Sequence, residues 1–190
     1  MKKTLLLFFL MTFSLVQSQG LSQGFETGGI NGAPFASGAA PTVTREAGPG
    51  TNTTQVIKFV GNTASDLWQG VNLSLTTNVN LIAATTRTMS IDVYASGPLF
   101  FLVKVNVGIA GAPEAAAVVE YTGTNTWQTC SFTFNSIRDG KAAAANGVYS
   151  GFVLHPYWPS AAATTFPAGT APASVNGSPA FAANCGQVCL

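Results

Sequence analysis

Trp68 followed by Gln69 and Asn72, and Trp127 flanked by Asn125 and Gln128, are the residue groupings here best suited to recognition chemistry. A sugar ring presents C–H faces that pack on aromatic rings, and hydroxyls that bond to amides and carboxylates. Sites of that kind combine an apolar platform with a few placed polar groups. Asp92 adds a carboxylate on a strand's polar side. Two readings of each tryptophan stay open. It is a platform facing a ligand, or it covers the end of the core with its indole N–H on a backbone carbonyl. Asp92 reads either as a hydroxyl acceptor or as a solvated surface charge. Tyr157 and Trp158, beside prolines, fit a loop rim that carries a site or varies freely.

Catalysis has little to build with. His155 is the single histidine, so neither H-E-x-x-H nor a multi-histidine zinc site can form, and no G-x-S-x-G elbow is present. His155 reads as a rim or packed residue. Glycoside hydrolysis needs two carboxylates about 5 to 10 Å apart. The candidates are Glu26, Glu46, Asp66, Asp92, Glu114, Glu120 and Asp139, and no two of them lie two residues apart on one strand face. An enzyme would have to assemble its pair from distant segments.

The elements that must position these groups are strands. Short runs rich in Val, Ile, Phe and Thr lie near Gly24–Thr27, Thr42–Glu46, Thr54–Gly61, Trp68–Thr76, Arg87–Tyr94, Phe100–Val107, Ala116–Tyr121, Trp127–Phe134 and Val148–His155. Turn chemistry separates them, as at Gly48-Pro49-Gly50, Ser96-Gly97-Pro98 and Asp139-Gly140. Strands at this spacing without a helical period indicate an all-β fold, an antiparallel sandwich or barrel. Parity assigns faces. Met89, Ile91 and Val93 oppose Ser90, Asp92 and Tyr94; Phe101, Val103, Val105 and Val107 form a core stripe. Trp68 falls with Asn72 and Ser74 on a polar side, unless a bulge at Gly70 turns it over. Trp127 falls with Thr129, Ser131 and Thr133.

Residues 1–18 read as a secretion signal. Lys2 and Lys3 precede the apolar run Leu5–Val16, which is too short to span a membrane. The expected location is therefore secreted, extracellular or periplasmic, with no transmembrane anchor. Residues 19–158 form one β-sandwich domain, large enough for a core without disulfide staples. Residues 159–190 are rich in Ala, Pro and Thr and read as a poorly ordered tail. Charged residues make up 8% of the chain, and losing Lys2 and Lys3 takes the net charge from +1 to −1. That balance excludes nucleic acid, which needs clustered cations, and a polybasic membrane role. A neutral ligand fits better. Cys130 shares parity with Phe132 and reads as a buried hydrophobe, while Cys185 and Cys189 are spaced to close a small loop.

Gly24-Phe25-Glu26, Asn52–Phe59, Trp68-Gln69-Gly70, Met89–Tyr94, Gly123–Gln128 and Phe132-Thr133-Phe134, in that order and spacing, resemble the jelly-roll carbohydrate-binding modules of exported bacterial polysaccharide-degrading systems. The resemblance covers Gly24 to Tyr157. It implies a galactose-binding-like β-sandwich, no catalysis, and polysaccharide or oligosaccharide held by aromatic platforms. Trp68, Gln69, Asn72, Asp92, Asn125, Trp127 and Gln128 are the expected contacts, in a monomer. It requires no cofactor, and it implies a structural calcium to which Glu26 would contribute. The acidic last strand of such modules has no counterpart, because Ser160–Leu190 contains neither Asp nor Glu. The competing expectations are a jelly-roll glycoside hydrolase or lyase, and an adhesive surface protein that contacts other proteins through a flat sheet.

Overall fold

A computed structural model describes residues 25–26, 32–50, 54–82, 88–167 and the backbone of 181–184. The signal segment, Gly24, Cys185 and Cys189 lie outside these residues. The strands are β1 (Gly32–Phe35), β2 (Thr42–Ala47), β3 (Gln55–Val60), β4 (Gly70–Asn80), β5 (Thr88–Ala95), β6 (Leu99–Ile109), β7 (Ala115–Tyr121), β8 (Thr126–Thr133), β9 (Val148–His155) and β10 (Phe181–Asn184). They form two five-stranded sheets, ordered β1-β4-β9-β6-β7 and β2-β3-β10-β5-β8. Every strand pair is antiparallel. The expected all-β sandwich is the observed fold.

Alternation explains the layers. On β6, Phe101, Val103 and Val105 enter the core with Leu73 and Val71 of β4 and Phe152 and Leu154 of β9. From the other sheet come Ile57 and Phe59 of β3, Met89, Ile91 and Val93 of β5, and Phe132 of β8. Burial of each such side chain contributes about 1.5–3 kcal/mol. Leu102, Lys104 and Asn106, at the alternate positions of β6, face outward. Tyr121 ends β7 fully buried, its hydroxyl donating to Ala95 O (3.1 Å) and Thr126 O (2.7 Å).

Cys130 is buried as its parity implies, and is not disulfide-bonded. Burial, reinforced by the nearby Asp92 carboxylate, pushes its thiol up to about 11. Because the thiolate is the reactive form, Cys130 in the native protein at pH 8 is expected to resist iodoacetamide until denaturant is added, as mass spectrometry would show. Labelling without denaturant would mean that this edge of the sandwich opens.

Three placements differ from the sequence expectation. Val107 leaves the core stripe: it adopts a left-handed backbone, φ 50°, and stands 64% exposed. Of the expected first strand, Phe25 and Glu26 are described and neither is in a strand, whereas β1 begins at Gly32. The expected poorly ordered tail, residues 159–190, is packed where it is described. Residues 158–166 fold back over the outer face of the first sheet, and β10 enters the second sheet between β3 and β5.

Candidate functional site

The outward face of the first sheet holds a groove of about 310 Å³ lined by Phe35, Trp68, Asn72, Lys104, Asn106 and His155, among others. A second hollow of about 350 Å³ shares Asn72 and Asn106 and continues to Ser74, Ser150 and Gly151. Register fixes this arrangement. Asn72 lies beside Val153, Val153 beside Lys104, and Gly151 beside Asn106.

Trp68 sits in the turn before β4 rather than on the strand, and the residue is 42% exposed. Three contacts hold it. Its ring meets Phe35 edge-on at 4.9 Å and His155 at 5.8 Å, and its carbonyl bonds His155 Nδ1 at 3.0 Å. Gly70 permits the crossing, because a Cβ there would fall 2.4 Å from Leu154 O and 2.8 Å from Phe35 Cζ. No bulge occurs at Gly70; the irregularity of β4 lies between Ser74 and Val79. Trp68 and Asn72 therefore share one groove, as parity suggests.

Gln69 does not face that groove. It is 0% exposed, and its amide is consumed locally. Oε1 accepts from Asn62 N (2.7 Å), while Nε2 donates to Asn62 O (3.0 Å) and Asp66 O (2.9 Å). Gln69 holds the turn that presents Trp68.

The remaining expected contacts lie elsewhere. Trp127 and Asp92 stand on the outer face of the second sheet. Trp127 Nε1 donates to Pro49 O at 3.1 Å, and its ring packs on Tyr94 at 5.6 Å. Asp92 Oδ1 accepts from Thr129 Oγ1 at 2.5 Å. Asn125 is exposed in the β7–β8 turn, where its φ of 50° suits asparagine. Gln128 Oε1 accepts the backbone N–H groups of Thr122 (3.0 Å) and Gly123 (3.2 Å), closing the same turn. Glu26 is exposed; its Oε1 accepts from Gln55 N at 3.0 Å. Arg45 donates to the carbonyls of Phe25 and Glu26. A guanidinium on those oxygens competes with any cation, and among the described residues no group of three or more His, Cys, Asp or Glu gathers. The described surroundings of Glu26 do not fit a calcium ion.

The groove's polar groups are of two kinds. Lys104, 6% exposed, is paired with Asp139 (Nζ–Oδ2 2.5 Å), and Lys141 with Glu114 (2.6 Å). These pairs cancel charge at one wall. Asn106 Oδ1, by contrast, is buried with no partner. A buried acceptor left unmatched costs about 1–3 kcal/mol, so turning the half-buried Asn106 amide out to meet a ligand hydroxyl would recover it. Gly151 makes room for that amide, since a Cβ would come 2.2 Å from Asn106 Oδ1. The Gly151→Ala protein is expected to fold, because the atoms in the way, Asn106 Oδ1 and Cγ2 of the exposed Val107, belong to side chains that can turn aside, but to bind groove ligand several-fold more weakly. Titration alongside a thermal melt checks this, and unchanged affinity would remove Asn106 from the site.

His155 is 1% exposed. Burial, with the Lys104 ammonium nearby, lowers its pKa to about 4. It is neutral at pH 7, so Nδ1 carries the proton given to Trp68 O and Nε2 keeps a lone pair.

Sequence reasoning passed over Phe35, Lys104 and Asn106. The signal for the last two was present: they alternate with Phe101, Val103 and Val105. Phe35 sits in a four-residue strand, too short to show a period.

No protein-family model matches the chain, and no curated protein matches it. Among solved structures it is similar to a family 11 carbohydrate-binding module from Clostridium thermocellum in complex with a β-1,3-1,4-mixed-linked tetrasaccharide. That likeness has a TM-score of 0.51 and 16% identity, over 90% of this chain and 95% of the module. The family 11 module of the cellulosomal cellulase Lic26A-Cel5E of the same organism aligns at a TM-score of 0.42 and 17% identity, over 73% of this chain and 91% of that one. The first likeness carries the jelly-roll architecture.

Proposed function

We propose that this chain is an exported, non-catalytic module that holds neutral polysaccharide in the groove on the outer face of the first sheet. The observation that carries the reading is the meeting of an exposed indole, Trp68, with Asn72 and the unpartnered Asn106 Oδ1 on one sheet face. Aromatic platform and unmatched hydrogen-bond groups are what a sugar ring uses. The structural likeness to a module bound to a tetrasaccharide supports it. Trp68, Asn72 and Asn106 supply the contacts, and Gln69 positions the platform. The acidic side chains at the groove wall are engaged by lysines, which favours binding over a hydrolytic pair. No described helix is long and apolar enough to cross a membrane, and the signal-like residues 1–18 support export.

Affinity electrophoresis of residues 19–190 in gels containing β-glucan, xylan, mannan, pectin or alginate tests the proposal. Retardation in at least one of the neutral gels (β-glucan, xylan or mannan) is expected, with the anionic pectin and alginate as comparison. It should be equal with calcium and with chelator, because Arg45 occupies the carbonyls beside Glu26. Release of soluble sugar from the retarding glycan would instead favour a hydrolase or lyase. A folded protein that no gel retards would move the weight to contact with protein partners.

A further inference from the structure

We infer that the groove receives the end of a glycan chain rather than an internal stretch of it. This rests on the glycan-binding reading and goes further, because it names the part of the polymer that fits.

The argument is the strap after β9. Trp158, 3% exposed, packs with Leu102 of β6 and Ala116 of β7, and Phe100, Val118, Ala163 and Phe166 complete the cluster. These residues cover the outer face at one end of β6 and β7. The strap is tied down at two points: Thr164 O accepts from Asp139 N (2.7 Å) and Ala161 O from Arg138 Nη2 (3.5 Å), while Ser160 O, accepting from Ala163 N (3.2 Å), closes a turn within the strap itself.

The strap reaches the margin of the groove at His155. Phe166 lies 5.1 Å from the His155 ring and 4.8 Å from Trp158, and His155 in turn meets Phe35 (5.3 Å) and Trp68. Phe166 and Trp158 thus stand behind His155, on its side away from the groove's own lining. Register places His155 beside Leu102, the residue under the strap, so a ligand running along β9 past His155 would meet packed side chains. The opposite end is different. There the hollow continues past Asn106 and Gly151 to Ser150 and the exposed Val107.

Along the strands, the site is therefore stopped at the His155 end and open at the other. Its two parts, about 310 and 350 Å³, sit low in the roughly 300–1,000 Å³ range of small-ligand pockets. A terminal sugar would stack on Trp68 at the His155 end, and the next would pass over Asn106 and Gly151 as the chain leaves. An unbroken polymer lying along the strands would need an exit past His155, where the strap stands in the way.

The test uses the whole mature protein with each of the five polysaccharides of the gel panel, intact and after limited acid hydrolysis. Hydrolysis multiplies chain ends without changing mass. The protein bound at saturation per gram of soluble polymer is expected to rise in proportion to the number of ends, measured independently by end-group assay. Borohydride reduction, which destroys only the reducing terminus, then tells which end is held. Capacity per gram that stays constant on hydrolysis would overturn the inference while leaving glycan binding standing. Absence of binding to both intact and cut material would overturn the glycan reading as well. As a second arm, Phe166→Ala, checked by its melting transition, should raise capacity on intact polymer by opening the His155 end. Unchanged capacity in a folded variant would mean that the strap is not the barrier.

Discussion

Trp68→Ala is expected to run through the retarding glycan gel at the mobility it shows without glycan. Its ring is the one exposed indole of the groove, held by Phe35 and by the His155–carbonyl bond before any ligand arrives. A platform fixed in advance loses little freedom on binding, so its truncation should cost about 2 kcal/mol, roughly thirtyfold in affinity. Trp68→Phe should recover part of this, because a smaller ring still stacks. Trp127→Ala is the matched comparison. Its indole is committed to Pro49 O and Tyr94 on the other sheet. That variant should lower the melting temperature and leave retardation in place. The reverse pattern, binding lost with Trp127 and kept without Trp68, would transfer the site to the second sheet.

The second large effect is on stability against pH. Unfolded, His155 takes up a proton near pH 6.5; folded, it does so only near 4, because burial and the Lys104 ammonium oppose the charge. Lys141 opposes it too, while Asp139 and the Trp68 carbonyl favour it. Above pH 6.5 neither state is protonated and the neutral imidazole contributes its full stability. Between 6.5 and 4 the unfolded chain binds a proton that the folded one refuses. Stability then falls, by about 3 kcal/mol in all once both states are charged. Urea unfolding at pH 7, 6, 5 and 4 reads this. His155→Gln has no such group and should show a shallower slope between pH 6.5 and 5, a window largely above carboxylate titration. Equal slopes would mean that the buried imidazole does not control acid stability.

The core was legible in the sequence because one face of each long strand is buried, and burial writes alternation into β5, β6 and β8. That Trp68 and Asn72 would look out on one side was legible as well, although Trp68 stands in the turn before β4 rather than on the strand. What escaped was determined by contacts distant in sequence. Gln69 reads as a polar neighbour of tryptophan, yet Asn62 and Asp66 close around its amide, a turn that local pattern does not announce. Trp127 has the parity of a platform, but Pro49 O claims its N–H from across the chain. The strap is alanine-rich, and small side chains carry little periodic signal. Its docking rests on Trp158 and Phe166 finding Leu102 and Ala116.

β10 sets the order in which this molecule can be completed. It lies between β3 and β5, so the β2-β3 and β5-β8 pairs belong to one sheet only through a four-residue strand near the chain's end. Ala183 pairs with both Ile57 and Val93, across most of the sequence. A chain emerging from its N-terminus can form hairpins such as β2-β3 and β6-β7 early, but its second sheet stays split until residues 181–184 appear. Closure is then a late, long-range event of the kind that slows folding. Until it happens, β3 and β5 each present an unpaired edge to any passing strand. A polypeptide threaded through a membrane pore before it folds would carry this delay without cost. The same chain left to fold in a crowded compartment would spend that interval prone to aggregation.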